Sequence, residues 1–381
     1  MNIHCNKPMI ASALAVATCL ATGAAAAQER PNIMVILADD LGYTDLGVTG
    51  GEIDTPNLDS LAGSGMLFTN VAVAPSCSPT RSMLMSGTDA HLAGLGLMYE
   101  MPKAPNQLGQ PGYIGHLNDS VVAFPAVLQA ADYSTFMVGK WHLGMDEGYL
   151  PNDRGFDQSF VMGVGGSDHF ALQKGVGPDR PISPYFDNGV PVEKLPEGFY
   201  STDFYTDRMI EYLGDGSEEP FFAYVAYTSP HWPLQAPEDW IDRYAGRYDE
   251  GYEVLLEQRI ESMTDLGLFP ENAPINEFVV GGNQRPWDSL SDEEKARSSR
   301  SKEIYAAMVA NLDWNIGRLI DHLKETGEYD NTLILFLSDN GPDEKDPRFI
   351  WGMFPEDVHS RTQNDPDSST GNCGFRVAYS V

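Results

Sequence analysis

Thiols are scarce in this 381-residue chain: of its four cysteines, Cys5 and Cys19 fall within the first 27 residues, leaving Cys77 and Cys373 for the rest. There is no Cys-x-x-Cys pair and no Cys/His zinc spacing, which excludes a disulfide framework and a structural zinc module. Positive charge is equally short, with 24 Lys and Arg against 55 Asp and Glu and a net charge of −31. Such a surface repels nucleic acid and anionic membranes, so neither is expected as a partner, whereas hard cations are welcome. No run after residue 27 is long and apolar enough to span a bilayer, and no internal repeat is present.

What is there is core: 42% of the residues are hydrophobic, enough for one large α/β domain with a smaller appendage. Residues 1–27 read as an export signal, with Lys7 ahead of the apolar run 9–20 and small residues at 24–27 before Gln28. The expected location is therefore periplasmic or secreted. A catalytic domain is expected over 28–345.

Four apolar runs end in polar clusters. "NIMVILADD" (32–40) closes on Asp39 and Asp40, and "NTLILFLSDNG" (331–341) closes on Asp339 and Asn340. "STFMVGKWHLG" (134–144) and "PFFAYVAYTSPHWP" (220–233) follow the same design. Continuous apolar runs of this length are the mark of buried parallel strands, and open α/β sheets bind ligands beyond the carboxyl ends of such strands. Helical patterns intervene over 123–131, 203–213 and from Ser291 to Gly327, the last opening on a Ser-Asp-Glu-Glu capping box. The alternation predicts a doubly wound sheet with helices on both faces. The stretches 97–120 and 145–200, rich in Gly, Pro and Asp, are predicted to be long ordered loops over the active edge.

Cys77 lies in "APSCSPTRSML" (74–84), where Ser78 suits an N-cap, Pro79 the first helical position and Gly87 a C-terminal stop. A group just before a helix favours negative charge, and Arg81 adds a fixed positive one. A low-pKa thiol nucleophile is one reading, but a cysteine phosphatase needs arginine where Met83 stands, and a cysteine protease gives no reason for clustered aspartates. A disulfide to Cys373 is the structural alternative. Asp39, Asp40, Asp339 and Asn340 offer only hard oxygen ligands, which favours Ca²⁺ or Mg²⁺ over zinc.

Cys77-Ser78-Pro79-Thr80-Arg81, with Gly87-Thr88 beyond, resembles the signature of the type I sulfatases. "PNIMVILADDLGYTDLG", "GKWHLG", "SPHWPLQAP" and "SDNG" resemble further blocks of that family in its order, over 31–341, and the intervening loops look closest to the bacterial arylsulfatases. The resemblance implies an alkaline-phosphatase-like mixed sheet and hydrolysis of aryl or alkyl sulfate monoesters. It also implies oxidation of Cys77 to formylglycine by a maturation enzyme, and Ca²⁺ held by Asp39, Asp40, Asp339, Asn340 and the oxidised Cys77. In that scheme one hydroxyl of the hydrated aldehyde attacks sulfur and Arg81 holds its alkoxide. Lys140 binds sulfate oxygens, His142 serves as the base at the second hydroxyl, and His231 protonates the leaving oxygen. The sulfate ester is thus the expected small-molecule partner.

Two departures bear on this. The family carries a further active-site lysine and a C-terminal subdomain beyond the Asp-Asn-Gly block. Here Lys345 comes too early for that lysine, and 346–381 reads as a divergent tail with the subdomain missing or altered. Phosphomonoester or phosphonate hydrolysis on the same fold, or an inactive Ca²⁺-binding remnant, are the alternative functions.

Overall fold

The computed structural model describes residues 30–101, 103–177, 180–216, 219–274 and 285–342. The predicted signal at 1–27, Lys345, Cys373 and the tail at 346–381 lie outside them. Four strands form the middle of the molecule: β1 (Asn32–Ala38), β2 (Ser134–Lys140), β8 (Phe221–Ala226) and β9 (Thr332–Ser338). Each is one of the four apolar runs of the sequence. They lie parallel in the order β2-β8-β1-β9, so the polar residues that follow each strand emerge along one edge.

The stretch 145–200, expected as loop, instead contains β3 (Gln158–Met162), β4 (Lys174–Gly177), β5 (Arg180–Ile182), β6 (Tyr185–Asp187) and β7 (Val190–Val192). β3 pairs parallel with β2, β6 and β7 add antiparallel strands beyond it, and the sheet reaches seven strands in the order β7-β6-β3-β2-β8-β1-β9. β6 and β7 have three residues each, too short for alternation to mark against Gly and Pro, and backbone pairing with a strand already in place stabilises them.

Alternate residues of the central strands feed two cores. Met34, Ile36, Phe136, Val138, Ala223 and Val225 point to one face and pack with the long helices, among them α4 (Ser201–Leu213) and α7 (Asp292–Glu325). Val35, Leu37, Met137, Phe222 and Tyr224 point to the other, where Met85 of α2 (Cys77–Ser86) and Leu128 of α3 (Phe124–Gln129) close over them. Helices therefore cover both faces, as in a doubly wound sheet. α1 (Pro56–Ser64), α5 (Glu238–Ile241) and α6 (Tyr252–Asp265) complete the α-helices of the described residues. No helix of the described residues is long and apolar enough to cross a membrane.

Candidate active site

The parallel ladder continues past the strand ends. The Asp39 amide donates to the Ser229 carbonyl at 3.1 Å, and the Asp339 amide donates to the Ala38 carbonyl at 3.1 Å, which ties the tips of β8, β1 and β9 together. Asp40 then turns through a left-handed backbone conformation (φ 64°), as does His142 (φ 58°) after β2. Non-glycine residues adopt this conformation at some energetic cost, a frequent feature of functional sites.

α2 begins two residues earlier than its sequence suggests. Ser76, extended at φ −160° and ψ 161°, is the N-cap in place of Ser78, and Cys77 is the first helical residue. Ser78 is buried and its hydroxyl finds no hydrogen-bond partner among the described residues. Cys77 is buried at the helix N-terminus as a free thiol. Burial, followed by the Asp339 carboxylate, pushes that thiol well above its ordinary pKa. Held protonated, a thiol is a poor nucleophile.

Arg81, one turn into α2, is fully buried and reaches three groups. Its Nε donates to Asp339 Oδ2 at 2.9 Å, its Nη2 makes ion-pair contacts with Asp339 Oδ2 at 2.8 Å and Asp39 Oδ1 at 3.4 Å, and its Nη1 donates to the Lys140 carbonyl at 2.8 Å. The Lys140 ammonium, from the end of β2, donates to both oxygens of Asp39 at 2.9 and 2.8 Å. Burial alone would raise the Asp39 carboxyl, but Lys140, with His231 and Arg81, holds it well below the usual carboxylate range. Asp339 moves the other way, pushed up by burial and then by the Asp39 charge. Three buried carboxylates, Asp39, Asp40 and Asp339, thus face two fixed cations.

Ligand atoms of Asp39, Asp40, Cys77 and His231 all lie within 4.8 Å of one another, a grouping that could hold a metal ion. His231 Nε2 is 3.6 Å from Asp40 Oδ2. Asn340 donates its amide nitrogen to Asp40 and to the Gly341 carbonyl, which leaves its buried Oδ1 without a hydrogen-bond partner among the described residues. An orphaned buried carbonyl oxygen beside clustered carboxylates fits a hard cation, which takes oxygen ligands and offsets their repulsion. Asp339, expected as a further ligand, is turned toward Arg81 and accepts from the Asp40 amide at 3.3 Å.

His142 and His231 sit in different settings. His142 is buried, and its Nε2 lies 2.8 Å from Glu100 Oε2. Behind His231, the fully buried His169 donates Nε2–H to the His231 carbonyl at 2.9 Å and accepts from the Ser201 hydroxyl at 2.8 Å. Burial lowers the His169 pKa to about 4, so this ring is a neutral brace. Glu100 and His169 were not singled out by the sequence; Glu100 lies 42 positions before its histidine in an irregular segment.

A doubly wound mixed sheet with carboxylates, two buried cations and a helix N-terminus at the parallel strand ends defines the alkaline-phosphatase-like class of α/β folds. The sulfatase family profile matches residues 31–370. Over 324 residues the chain is 48% identical to an uncharacterized sulfatase of Schizosaccharomyces pombe, covering 83% of this chain and 58% of that one. It is 39% identical over 353 residues to an arylsulfatase of Klebsiella aerogenes, covering 90% and 75%. Among solved structures, Ps i-CgsB superposes with a TM-score of 0.59 at 29% identity, covering 82% of this chain and 59% of that one. The chain belongs to the sulfatase family. It spans 58% of the length of the fission-yeast sulfatase and 43% of that of mouse arylsulfatase J.

Proposed function

We propose that this protein hydrolyses aryl or alkyl sulfate monoesters to the alcohol or phenol and sulfate. One observation carries the reading: a buried cysteine opens a helix beside Arg81, Lys140, Asp39 and Asp40 at the strand ends, in a chain of the sulfatase family. Ca²⁺ held by Asp39, Asp40, Asp339 and Asn340 would supply positive charge for the sulfate oxygens, and Cys77 oxidised to formylglycine by a maturation enzyme would supply a hydroxyl nucleophile.

The chain's own groups divide the remaining work. Lys140 binds sulfate oxygens, and its buried charge stabilises the charge that builds up on the transferring group. Arg81 is held rigidly by Asp339 and the Lys140 carbonyl, so it presents a fixed positive charge to the side chain at position 77. His142 takes a proton from that side chain's second hydroxyl, and His231, beside Asp40, donates one to the leaving oxygen. The high pKa of the Cys77 thiol supports this over direct thiolate attack. Export by residues 1–27 places the enzyme in the periplasm or outside the cell, which Edman sequencing of the exported protein checks: the mature chain should start at Gln28.

The test is turnover of matched aryl sulfate and aryl phosphate esters by Ca²⁺-loaded protein made in a host with formylglycine-generating machinery. A higher kcat/KM for the sulfate is expected. Preference for the phosphate would assign a phosphomonoester hydrolase instead. A folded protein that turns over neither ester would be a binding remnant.

A further inference from the structure

Glu100 belongs to the segment 97–120, which the sequence presents only as a loop. With Tyr99, Ile114, His116, His142 and Met145 it lines a cavity of about 80 Å³ next to the reacting centre. Both oxygens of its carboxylate are engaged. Oε2 meets His142 Nε2 at 2.8 Å, and Oε1 accepts the Gly165 amide at 3.2 Å. The backbone bond fixes the carboxylate, and the carboxylate in turn fixes the ring.

The tautomer follows from hydrogen-bond chemistry. An ionised carboxylate only accepts, so the proton of a neutral His142 must sit on Nε2 and the lone pair on Nδ1. Nδ1 is buried and has no hydrogen-bond partner among the described residues. Burial would raise the Glu100 carboxyl, but contact with His142 holds it well below the usual carboxylate range, so it is ionised. Burial lowers the His142 imidazole, with Glu100 opposing, so the ring is neutral and ready to accept a proton. The charged groups acting on that ring are Glu100, which favours its protonation, and Lys140 and Arg81, which disfavour it; His116 and Asp146 line the same cavity.

We infer that Glu100 is the positioning residue for His142, fixing the Nε2–H tautomer so that Nδ1 is the atom that receives the proton. The inference rests on the sulfatase reading for what His142 does, and on the hydrogen bonds of an ionised Glu100 for which nitrogen does it. Substitution by glutamine makes a distinct demand. The Gly165 amide claims the glutamine oxygen, which turns the NH₂ group toward Nε2 and forces the proton to Nδ1.

Long-range ¹H–¹⁵N correlation spectra of uniformly ¹⁵N-labelled full-length protein, with His142 assigned by its loss in H142A, read the tautomer without any turnover. The wild type should show His142 as Nε2–H, and E100Q should move it to Nδ1–H. A wild-type ring protonated on Nδ1, or an unchanged tautomer in folded E100Q, would overturn the inference. On an aryl sulfate, E100Q should lower kcat by on the order of 10²-fold while KM stays within about twofold, and E100D should recover part of the loss. In the H142A background E100Q should change kcat by less than about twofold, because a positioning residue has nothing left to position. Equal losses in both backgrounds would reduce Glu100 to a structural role. If the wild type hydrolyses no sulfate ester, the proposed function fails, and the tautomer spectra still decide for or against Glu100.

Discussion

Lys140 and Asp39 are bound to each other through both carboxylate oxygens, and neither is accessible to water. Truncating the lysine removes the cation that meets both Asp39 oxygens and leaves the buried anion to Arg81 at 3.4 Å and to His231, and breaking a buried pair in this way costs about 3–5 kcal/mol. K140A should therefore lower the Tm of the metal-free protein, and Ca²⁺ should recover part of the loss; a Tm equal to wild type without metal would contradict the pairing. Asp45 offers the matching test by pH. Burial would raise its carboxyl, but Lys302 and Arg259 hold it far below the ordinary range, with Arg259 at 2.8 Å, Lys302 at 3.2 Å and the Tyr305 hydroxyl at 2.6 Å. A carboxyl depressed in the folded state contributes stability above its unfolded pKa of about 3.9 and loses it as pH falls toward the folded value. Urea denaturation should thus show wild-type stability falling below about pH 4. In D45N that slope should shrink, although D45N is the less stable protein at pH 7. The Asp45 cluster also holds the turn after Asp40, because Asp45 accepts the Gly42 amide at 3.0 Å.

The elements that place the site are short parallel strands whose tips must lie in register, and Gly139 shows how tightly two of them fit. A Cβ built there would lie 1.8 Å from the Ala226 carbonyl oxygen, and φ is +99°. G139A forces β2 away from β8 next to Lys140 and His142, so it should yield insoluble or sharply destabilised protein by thermal melt. α7 is set differently. Ser291 accepts the Glu294 amide at 3.3 Å while the Glu294 carboxylate accepts the Ser291 amide at 2.8 Å, so S291A should cost about 0.5–2 kcal/mol in chemical denaturation without altering the site. This capping box and the four central strands were legible in the sequence because each is a local pattern: apolar runs with polar ends, or Ser three residues before Glu. The candidate residues at the strand tips were legible for the same reason. β6 and β7 were not, since nothing local distinguishes three extended residues from loop. The start of α2 was misread by two residues because Ser76 and Ser78 are equally good caps by type and only the backbone at Ser76 decides. Glu100 could not be read at all, because its role exists only where the fold brings a loop against His142.

Over the whole molecule, a net charge of −31 and three buried carboxylates at one edge would make folding and the proposed cation binding mutually supportive. A cation that binds only the folded state adds about 2.7 kcal/mol at a hundred times its dissociation constant. Ca²⁺ should raise Tm and EGTA lower it, and an indifferent Tm would mean that the acidic group does not take up the ion. The sheet is less evenly finished. β9 is the outermost strand on its side among the described residues, with Leu333 and Leu335 exposed, and Met66, Phe68 and Val71 are exposed elsewhere on the surface. Apolar surface of this kind invites association while the net charge of −31 opposes it, so light scattering should rise with protein concentration at high ionic strength, where the repulsion is screened, and stay flat at low ionic strength. The proposed chemistry turns on the side chain at the start of α2. Intact mass analysis of the tryptic peptide spanning Cys77, from protein active on an aryl sulfate, should show the aldehyde and its hydrate in place of the thiol. Full sulfatase turnover from protein whose Cys77 remains an unmodified thiol would contradict the mechanism proposed for this site.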